Sequence, residues 1–349
     1  MIEPTRRDVL RAAVAYSAAT GFSPFARAQS GTIVAHTFPA GFQELTQNVL
    51  VPEFKKKSGT EVTLTTLLAV DAVTRLVAAK GGRPPFDVTI LDQGPLLDAI
   101  KAGVIAEYPV ERSVHFKELV PVAQDKWGPK FTMQMVGIGY NPKRVPDPPK
   151  SWNDLWKPEY KGRVGLTALN SSLGTAFLVE LARVHGGSEA NIEPAFAALR
   201  ELLPNIGAVS ANLGAHATLF QQEQVDIAPH NFNFVETLKG RGVSVEFAVP
   251  ETGLVGWTTS MHVSANSDKA DLAFQYIETA MSPDVQEKFQ TAPHWVIPTN
   301  SKVPTRGPIQ AKLGNTIAEI GGRFRVQDWA VINAQRSAWI ERFNREIKL

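Results

Sequence analysis

Strand-like and helix-like segments alternate along the first hundred residues of this chain, and the alternation restricts the folds that are open to it. Short apolar runs predict strands over 32–38, 62–68 and 86–91. Apolar residues at helical spacing predict helices over 42–54, 73–77 and 96–102. Strands that alternate with helices in this way form a mainly parallel sheet with helices on its faces. The predicted fold class is α/β.

The same pattern restarts after Tyr140, which indicates a second unit of similar architecture. Strands are predicted over 163–166, 206–209, 225–228 and 243–249, and helices over 174–184 and 192–202. The 349 residues are enough for two domains of roughly 150 residues each. The sequence contains no internal repeat, so the two units are related in fold alone.

The N-terminal segment has the three parts of an export signal in the expected order. A pair of arginines precedes the apolar run 12–22, and a small-x-small cleavage pattern ends at Ala28. The arginine pair predicts a twin-arginine signal, although Val9, where that signal usually has Phe, leaves Sec export open. Cleavage near Ala28 predicts release into the periplasm. No later segment approaches about 20 apolar residues, so no membrane insertion is expected.

Charge and cysteine content exclude several classes of function. The chain has 36 Lys and Arg against 34 Asp and Glu, and removal of residues 1–28 leaves 32 of each. A formally neutral chain has no net basic charge to drive nucleic-acid binding. The absence of cysteine excludes a disulfide framework, a thiolate metal site, a catalytic Cys and a lipid-anchoring Cys.

The segment 151–164, SWNDLWKPEYKGRV, is the most informative motif in the chain. Ser151 is a plausible N-cap, Pro158 ends the helical turn, and Gly162 leads the chain into an apolar strand. The segment resembles the S-W-x-D-L-W-x-P-x-Y-K-G-x-(V/L) signature of periplasmic solute-binding proteins of the spermidine/putrescine-like group. A second segment, 267–289, resembles the A-x-x-F-x-(Y/F)-(I/L)…S-P-x-V segment of the same family and predicts two helices.

This resemblance implies a type II periplasmic-binding-protein fold of two lobes joined by two hinge strands. The extended segments Phe131–Asn141 and Thr258–Ser264 are where the chain would pass between the lobes. The first lobe would comprise 29–137 plus 261–349, and the second lobe 138–260. The implied function is that of a monomeric receptor that delivers a small-molecule ligand to the inner-membrane permease of an ABC importer. Neither enzymatic activity nor a cofactor is expected.

Polar or aromatic residues stand where four of the predicted strands end. Ligands of open α/β sheets bind at the carboxyl ends of strands. This rule selects Thr37 and Phe38, then Asp92 and Gln93, then Asn170, Ser171 and Ser172, and finally Asn231 and Asn233. Each residue alone is as consistent with a cap or turn as with ligand contact, but similar positions in both units favour a site. Hydroxyls and free amides at the Asn170–Ser172 helix start also suit an anionic group.

The resemblance adds Trp257 and Thr259 to the predicted site, and there the chain departs from the family. Polyamine binders have a W-x-D-S strand whose Trp packs on the alkyl chain and whose Asp pairs with an ammonium. This chain has Trp257 followed by Thr259 in place of the Asp, and it lacks the acidic pair at the second-lobe helix start. A buried ammonium without carboxylate partners is strongly disfavoured. With Asp92 as one carboxylate, the predicted ligand carries one amine and one carboxylate, as amino-acid derivatives and opines do.

Motifs of other chemistries are missing from the sequence. It has no G-x-S-x-G, no H-E-x-x-H, no G-x-x-x-x-G-K-(S/T) and no G-x-G-x-x-G. His216 and His230 lie apart in sequence, and no adjacent tyrosines offer an iron site, so no metal is expected. Three alternatives stay open: a polyamine-binding protein, a periplasmic enzyme on the same scaffold, and a sensory ligand-binding protein.

Overall fold

A mixed β-sheet of ten strands organises residues 31–347, the part of the chain that the computed structural model describes. The segment predicted to be an export signal lies outside these residues. The strands are β1 (Thr32–Thr37), β2 (Glu61–Thr66), β3 (Val88–Asp92), β4 (Lys130–Tyr140), β5 (Val164–Thr167), β6 (Ile206–Ser210), β7 (Ile227–Asn231), β8 (Glu246–Ala248), β9 (Val255–Val263) and β10 (Arg325–Val326).

Helices follow most of these strands. They are α1 (Gly41–Leu45), α2 (Val51–Ser58), α3 (Ala69–Ala78), α4 (Gln93–Ala102), α5 (Ser172–Val184), α6 (Glu193–Leu202), α7 (Leu213–Gln221), α8 (Phe232–Gly240), α9 (Ala270–Met281), α10 (Pro283–Phe289), α11 (Gly307–Lys312), α12 (Ile317–Arg323) and α13 (Trp329–Glu346). A π-helical turn, Thr46–Leu50, joins α1 to α2. Single 3-10 turns form at Val110–Arg112, Phe116–Glu118, Pro121–Ala123, Trp152–Trp156, Pro158–Tyr160 and Leu203–Asn205.

Two sets of parallel strands flank an antiparallel centre. The strand order is β2-β1-β3-β9-β4-β7-β5-β6, with β10 paired to β9 and β8 to β4. Strand β9 pairs with β4 through its first half and with β3 through its second half, and β4 in turn reaches β7. The two segments that the sequence predicted to be extended are therefore confirmed as strands. Because β9 pairs with one set, β4 pairs with the other, and the two strands pair with each other, they can join two lobes, while the lobe boundaries themselves stay a prediction.

Apolar residues cover both faces of the sheet. Along β4, Met133 and Met135 belong to one large core cluster, whereas Val136 and Ile138 belong to the other. This division follows from the alternation of side chains in a strand. The centre of the sheet is consequently buried on both sides, and any polar side chain there must find a partner within the protein.

The last helix, α13, contacts elements of both predicted lobes. Asn333 on α13 donates from Nδ2 to the carbonyl oxygen of Gly94 in α4 at 2.8 Å. Arg342 forms an ion pair with Glu193 of α6, and Glu346 forms one with Arg200. The sequence grouped this segment with the first lobe alone, and its contacts with α6 show that it also packs on the second.

The SWNDLWKPEYKGRV segment has the local structure that its sequence predicted. The Ser151 hydroxyl accepts from the Asn153 backbone N–H, and Asp154 completes a capping box. Trp152 is fully buried and packs on Phe177 of α5 at 5.3 Å between ring centroids. The motif therefore anchors the start of the second unit to its core.

Among residues 31–347, no helix is both long enough and apolar enough to cross a lipid bilayer.

Candidate functional site

Polar side chains of four adjacent strands share one face of the central sheet. Asp92 on β3 is opposite Thr259 on β9, and Trp257 on β9 is opposite Gln134 on β4. Asn231 on β7 is opposite the residue two positions after Gln134, so it lies on the same face. These five residues are here called the polar row. Four of them were predicted from the sequence, and Gln134 was not.

Asp92 accepts two hydrogen bonds that involve three different segments of the chain. Thr259 Oγ1 donates to Asp92 Oδ1 at 2.8 Å, and Ser172 Oγ donates to Asp92 Oδ2 at 2.8 Å. Burial raises the pKa of Asp92, and the two hydroxyls oppose that shift by stabilising the carboxylate. The Ser172–Asp92 bond joins the start of α5 to the end of β3, and hence the two predicted lobes.

The start of α5 is held close to the row by its local sequence. Ser171 is the N-cap, and its hydroxyl accepts from the Leu173 backbone N–H at 3.3 Å. Gly174 lets the helix approach the preceding strand, because a Cβ there would lie 2.3 Å from the carbonyl oxygen of Thr167. The sequence prediction that Ser171 and Ser172 start a helix is confirmed, with Ser171 as the cap and Ser172 free to reach Asp92.

Arg336 of α13 lies beside this cluster and was missed by the sequence analysis. Its guanidinium donates to the carbonyl oxygens of Leu169 and Asn170 and to Thr175 Oγ1, at 3.0–3.2 Å. Burial lowers the pKa of Arg336, and the charge of Asp92 opposes that shift. Arg336 therefore fixes the loop before α5 and places a cation near the only carboxylate of the polar row.

Several buried polar atoms in and next to the row have no hydrogen-bond partner among the described residues. They are Trp257 Nε1, Asn231 Oδ1, Thr258 Oγ1 and His230 Nε2. Asn231 uses only its Nδ2, which donates to Gln134 Oε1 at 3.2 Å. The Trp257 indole helps to lower the pKa of Asp92 by proximity, but its N–H meets no acceptor at hydrogen-bonding geometry. Such atoms are destabilising unless another molecule or a rearrangement satisfies them.

His230 precedes Asn231 on β7, so its ring lies on the opposite face of the sheet from the polar row. The Asn231 backbone N–H donates to His230 Nδ1 at 2.8 Å, so the neutral ring carries its proton on Nε2. Burial lowers the pKa of His230 well below its usual value, and the nearby His216 lowers it further. The row therefore has one unpartnered N–H donor, from Trp257, and one unpartnered carbonyl acceptor, from Asn231, and His230 has an unpartnered donor on the other face.

The remaining predicted residues have diverse environments. Thr37 is fully buried and contacts Thr46 Oγ1 at 3.0 Å, which is a structural role. Phe38 packs edge-on against Phe42. Gln93 Oε1 accepts from the Thr258 backbone N–H at 3.3 Å. Asn170 is exposed, and Asn233 lines a cavity apart from the row.

That cavity has a volume of about 260 Å³ and lies on the other face of the sheet from the row. Its walls come from the start of α1, from α7 and α8, and from residues 293–296. Phe42, Leu238 and Val296 supply apolar surface, and Glu44 and Arg241 supply charge. We call it the α1–α8 cavity. A second cavity of about 240 Å³ lies between α4 and the start of α13 and includes Gln93 and Trp329.

Two hydroxyl–imidazole pairs are buried in the core. Ser210 Oγ lies 2.9 Å from His216 Nδ1, and Ser260 Oγ lies 2.7 Å from His262 Nε2. Neither histidine is exposed, and neither pair lines either cavity. No group of three or more His, Asp or Glu residues within 31–347 is placed to hold a metal ion.

Comparison with known proteins agrees with this geometry. The profile of the bacterial extracellular solute-binding protein family matches residues 84–334, and the chain therefore belongs to that family. The spermidine/putrescine-binding periplasmic protein of Escherichia coli is 25% identical over 252 residues, which cover 68% of this chain and 70% of that protein.

Solved structures share the whole fold at lower identity. A periplasmic thiamin binding protein superimposes with a TM-score of 0.75 at 19% identity, covering 94% of this chain and all of that one. A periplasmic binding protein of Actinobacillus pleuropneumoniae with fructose-6-phosphate bound has a TM-score of 0.72 at 19% identity, covering 91% of this chain and 99% of that one. These likenesses confirm the two-lobed periplasmic-binding-protein fold, and the difference in bound solutes shows that the fold does not determine the cargo.

Proposed function

We propose that this protein captures a small polar solute between two lobes in the periplasm and delivers it to the permease of an ABC importer. The observation that carries the proposal is the α1–α8 cavity, whose walls come from both of the ranges proposed as lobes. A solute bound there would contact both lobes at once and so stabilise the closed form.

The proposed lobes are 29–137 plus 261–349 and 138–260, with β4 and β9 as the hinge strands. Three contacts between these ranges support a closing motion. Ser172 bonds to Asp92, Thr237 Oγ1 donates to the Pro293 carbonyl oxygen at 2.6 Å, and Arg241 pairs with Glu44 at 3.5 Å. Export through the predicted twin-arginine signal, cleavage near Ala28 and a monomeric state complete the proposal.

The proposed cargo carries one amine and one carboxylate and is not a polyamine. The polar row has a single carboxylate, Asp92, and both of its oxygens already accept hydrogen bonds. Arg336 adds a cation that repels a second positive charge. A polyamine would bring two or more ammonium groups, whereas the row offers no free carboxylate and the α1–α8 cavity is lined by one carboxylate, Glu44, and burying such charges unpaired is costly.

A thermal-shift screen of the protein without residues 1–28 tests the receptor function. The compounds are amino acids and their derivatives, opines, diamines, spermidine and small dicarboxylates. Binding at a hundredfold excess over Kd adds roughly 2.7 kcal/mol to the free energy of unfolding, which raises Tm by several degrees. A shift with recovery of the unchanged compound supports a receptor. Hydrolysis of a chromogenic ester or amide without any shift would identify an enzyme instead.

The alternative cargo is a polyamine, because the E. coli relative is a spermidine/putrescine-binding protein. A shift by spermidine or putrescine that exceeds the shift by every amino-acid derivative would establish that alternative and contradict the proposed ligand class. A test with the partner distinguishes import from a sensory function. A receptor for import, when loaded with ligand, stimulates the ATPase of a reconstituted importer.

A further inference from the structure

We infer that the α1–α8 cavity is where the cargo's two charged groups are recognised, with Glu44 taking an ammonium and Arg241 taking a carboxylate. The inference rests on the proposed receptor function and deepens it, because it assigns the two side chains that discriminate the proposed zwitterionic solute from other solutes. Of the cavity's walls, only Asn233 belongs to the site predicted from the sequence.

The cavity lies between the two proposed lobes. Residues 40–44 and 293–296 come from the first lobe, and the walls from α7 and α8 come from the second. Two of the contacts between these ranges, Thr237 to Pro293 and Arg241 to Glu44, are made by residues that line the cavity. Solute sites in two-domain proteins occur preferentially at such interfaces. A molecule bound here would therefore contact both lobes at once.

The charged pair at the cavity is more accessible than Asp92, which is only partly exposed. The side chains of Arg241 and Glu44 are 51% and 47% exposed, and their nearest atoms are 3.5 Å apart. Such an exposed ion pair contributes about 0–1 kcal/mol, so separating its partners costs little. A zwitterion inserted between them replaces one ion pair with two, and the planar guanidinium can accept the carboxylate through two parallel hydrogen bonds.

The rest of the cavity suits a short chain with charged ends. Phe42, Leu238 and Val296 provide apolar surface for methylene groups. The volume of about 260 Å³ equals the liquid volume of about nine waters, which accommodates a small solute. Asn233 and Phe234, in the first turn of α8, line the cavity, and Asn231 as N-cap gives that turn no side-chain hydrogen bond. Its free amides add to the attraction for a carboxylate.

A matched set of probes tests the ligand class. Cadaverine, 5-aminopentanoate and glutarate share a five-carbon chain and differ only in carrying two amines, one of each group, or two carboxylates. We expect 5-aminopentanoate to bind at millimolar concentration or below in calorimetry, and the other two to bind at least about tenfold more weakly. Tighter binding of cadaverine or glutarate than of 5-aminopentanoate and the amino acids would overturn the inference. If no compound of any class bound, the proposed function itself would fail.

Variants test the two side chains. Arg241→Gln and Glu44→Gln should each weaken 5-aminopentanoate binding by about tenfold or more. The matched control is Arg83→Gln, which removes a somewhat more exposed ion pair, with Asp268 at 3.4 Å. Neither residue lines the cavity, and both are far from the cavity residues in sequence. Unchanged affinity in both cavity variants, with binding otherwise intact, contradicts the inference and leaves the receptor function standing.

A charge swap distinguishes two roles of the Glu44–Arg241 pair, namely binding the ligand and holding the two lobes together. The double variant Glu44→Arg with Arg241→Glu keeps an ion pair between the lobes but exchanges the positions of the two charges. If the pair only holds the lobes together, the double variant should bind as well as the unaltered protein, which would refute the inference. If the pair binds the charged groups of the ligand, the double variant should bind 5-aminopentanoate at least about tenfold more weakly than the unaltered protein, because each end of the ligand then faces a like charge.

Discussion

The polar row and the α1–α8 cavity both lie between the proposed lobes, but they differ in how they hold polar groups. In the row, Asp92 accepts hydrogen bonds from Ser172 and Thr259, and Trp257 is 2% exposed. In the cavity, Glu44 and Arg241 are about half exposed and make a single long contact. The row thus determines how strands and helices fit together, whereas the cavity keeps its charges available to a solute.

The contrast indicates how one scaffold can serve different cargoes. Buried polar groups that bond to one another specify a single arrangement, and replacing one of them disturbs its neighbours. Exposed charges at a cavity contribute little to stability, so they can be exchanged without loss of the fold. Specificity is therefore expected to reside in residues such as Glu44 and Arg241. Four tests follow, from the largest expected effect on stability to the smallest.

Acid should destabilise the buried centre most. Burial lowers the pKa of His36, His216 and His262 from 6.5 to about 4. Because the unfolded chain binds these protons first, the stabilisation is complete above pH 6.5 and is lost as the pH falls towards about 4. For each of these histidines, the free energy of unfolding should fall by roughly 3 kcal/mol over that pH range. Urea titrations at a series of pH values should show the loss.

Protonation of Asp92 affects the stability of the fold in the opposite direction from protonation of the histidines, which provides a control for the acid experiment. Its raised pKa means that the folded protein holds this proton more tightly than the unfolded chain, so Asp92 favours the folded state at low pH. Asp92→Asn should therefore make the acid destabilisation steeper. A shallower pH dependence in this variant would show that burial does not dominate at Asp92.

Truncation of an aromatic residue should lower the free energy of unfolding much more in the row than at the cavity. Trp257→Ala removes a fully buried ring and should lower the free energy of unfolding by about 3–5 kcal/mol. Phe234→Ala, at the half-buried cavity wall, should cost only about 1–2 kcal/mol. Chemical denaturation of the two ligand-free variants measures the difference. Equal losses would mean that the cavity wall is as much a part of the core as the row is.

Trp257→Phe removes the indole N–H and keeps a smaller aromatic ring. Among residues 31–347 the N–H has no acceptor, so the unfolding free energy of the ligand-free protein should fall only through the lost ring atoms, by about 1–3 kcal/mol. If the N–H donates to bound solute, affinity should fall by about tenfold or more in calorimetry. A variant that binds as tightly as the unaltered protein would limit Trp257 to a packing role.

The smallest effect is expected at the cavity's ion pair. Glu44→Gln should change the free energy of unfolding of the ligand-free protein by less than about 1 kcal/mol, because the pair is exposed. Lys312→Met is a suitable contrast, since Lys312 Nζ donates to the buried Glu236 at 2.7 Å and its loss leaves that carboxylate unpaired. A large loss in Glu44→Gln would show that this pair is structural.

The sequence predicted the fold well because the strands are short and apolar and are separated by helices with apolar residues at helical spacing. Strand β1 was predicted over 32–38 and is observed over Thr32–Thr37, and α6 was predicted over 192–202 and is observed over Glu193–Leu202. Helices α7 and α8 were missed. They carry Phe, Leu and Ala together with Gly, Asn and His residues, and their burial depends on partners that the local pattern does not contain.

The candidate site was predictable only in part. The end of a strand gives the position of a residue in the sheet, but it does not show which other side chains that residue contacts. Asp92 and Ser172 do come together, as the rule for strand ends suggested, and Thr259, which the family resemblance added, also bonds to Asp92. Thr37 instead bonds inside the first unit. Gln134 and Arg336 were missed because one lies within a strand and the other on a distant helix. Only the pairing of β4 with β9 and the position of α13 bring them to the site.

The central pairing of β4 with β9 also has a consequence for the order in which the molecule can fold. Its register joins Gln134 to Trp257, residues separated by more than a third of the chain. Long-range pairings of this kind form slowly, because the entropy of closing a long loop is lost before any stabilising contact forms. A ribosome must therefore release all of β9 before the middle of the sheet can exist. Until then the newly made chain has two unfinished sheet edges, and chaperones have time to bind it.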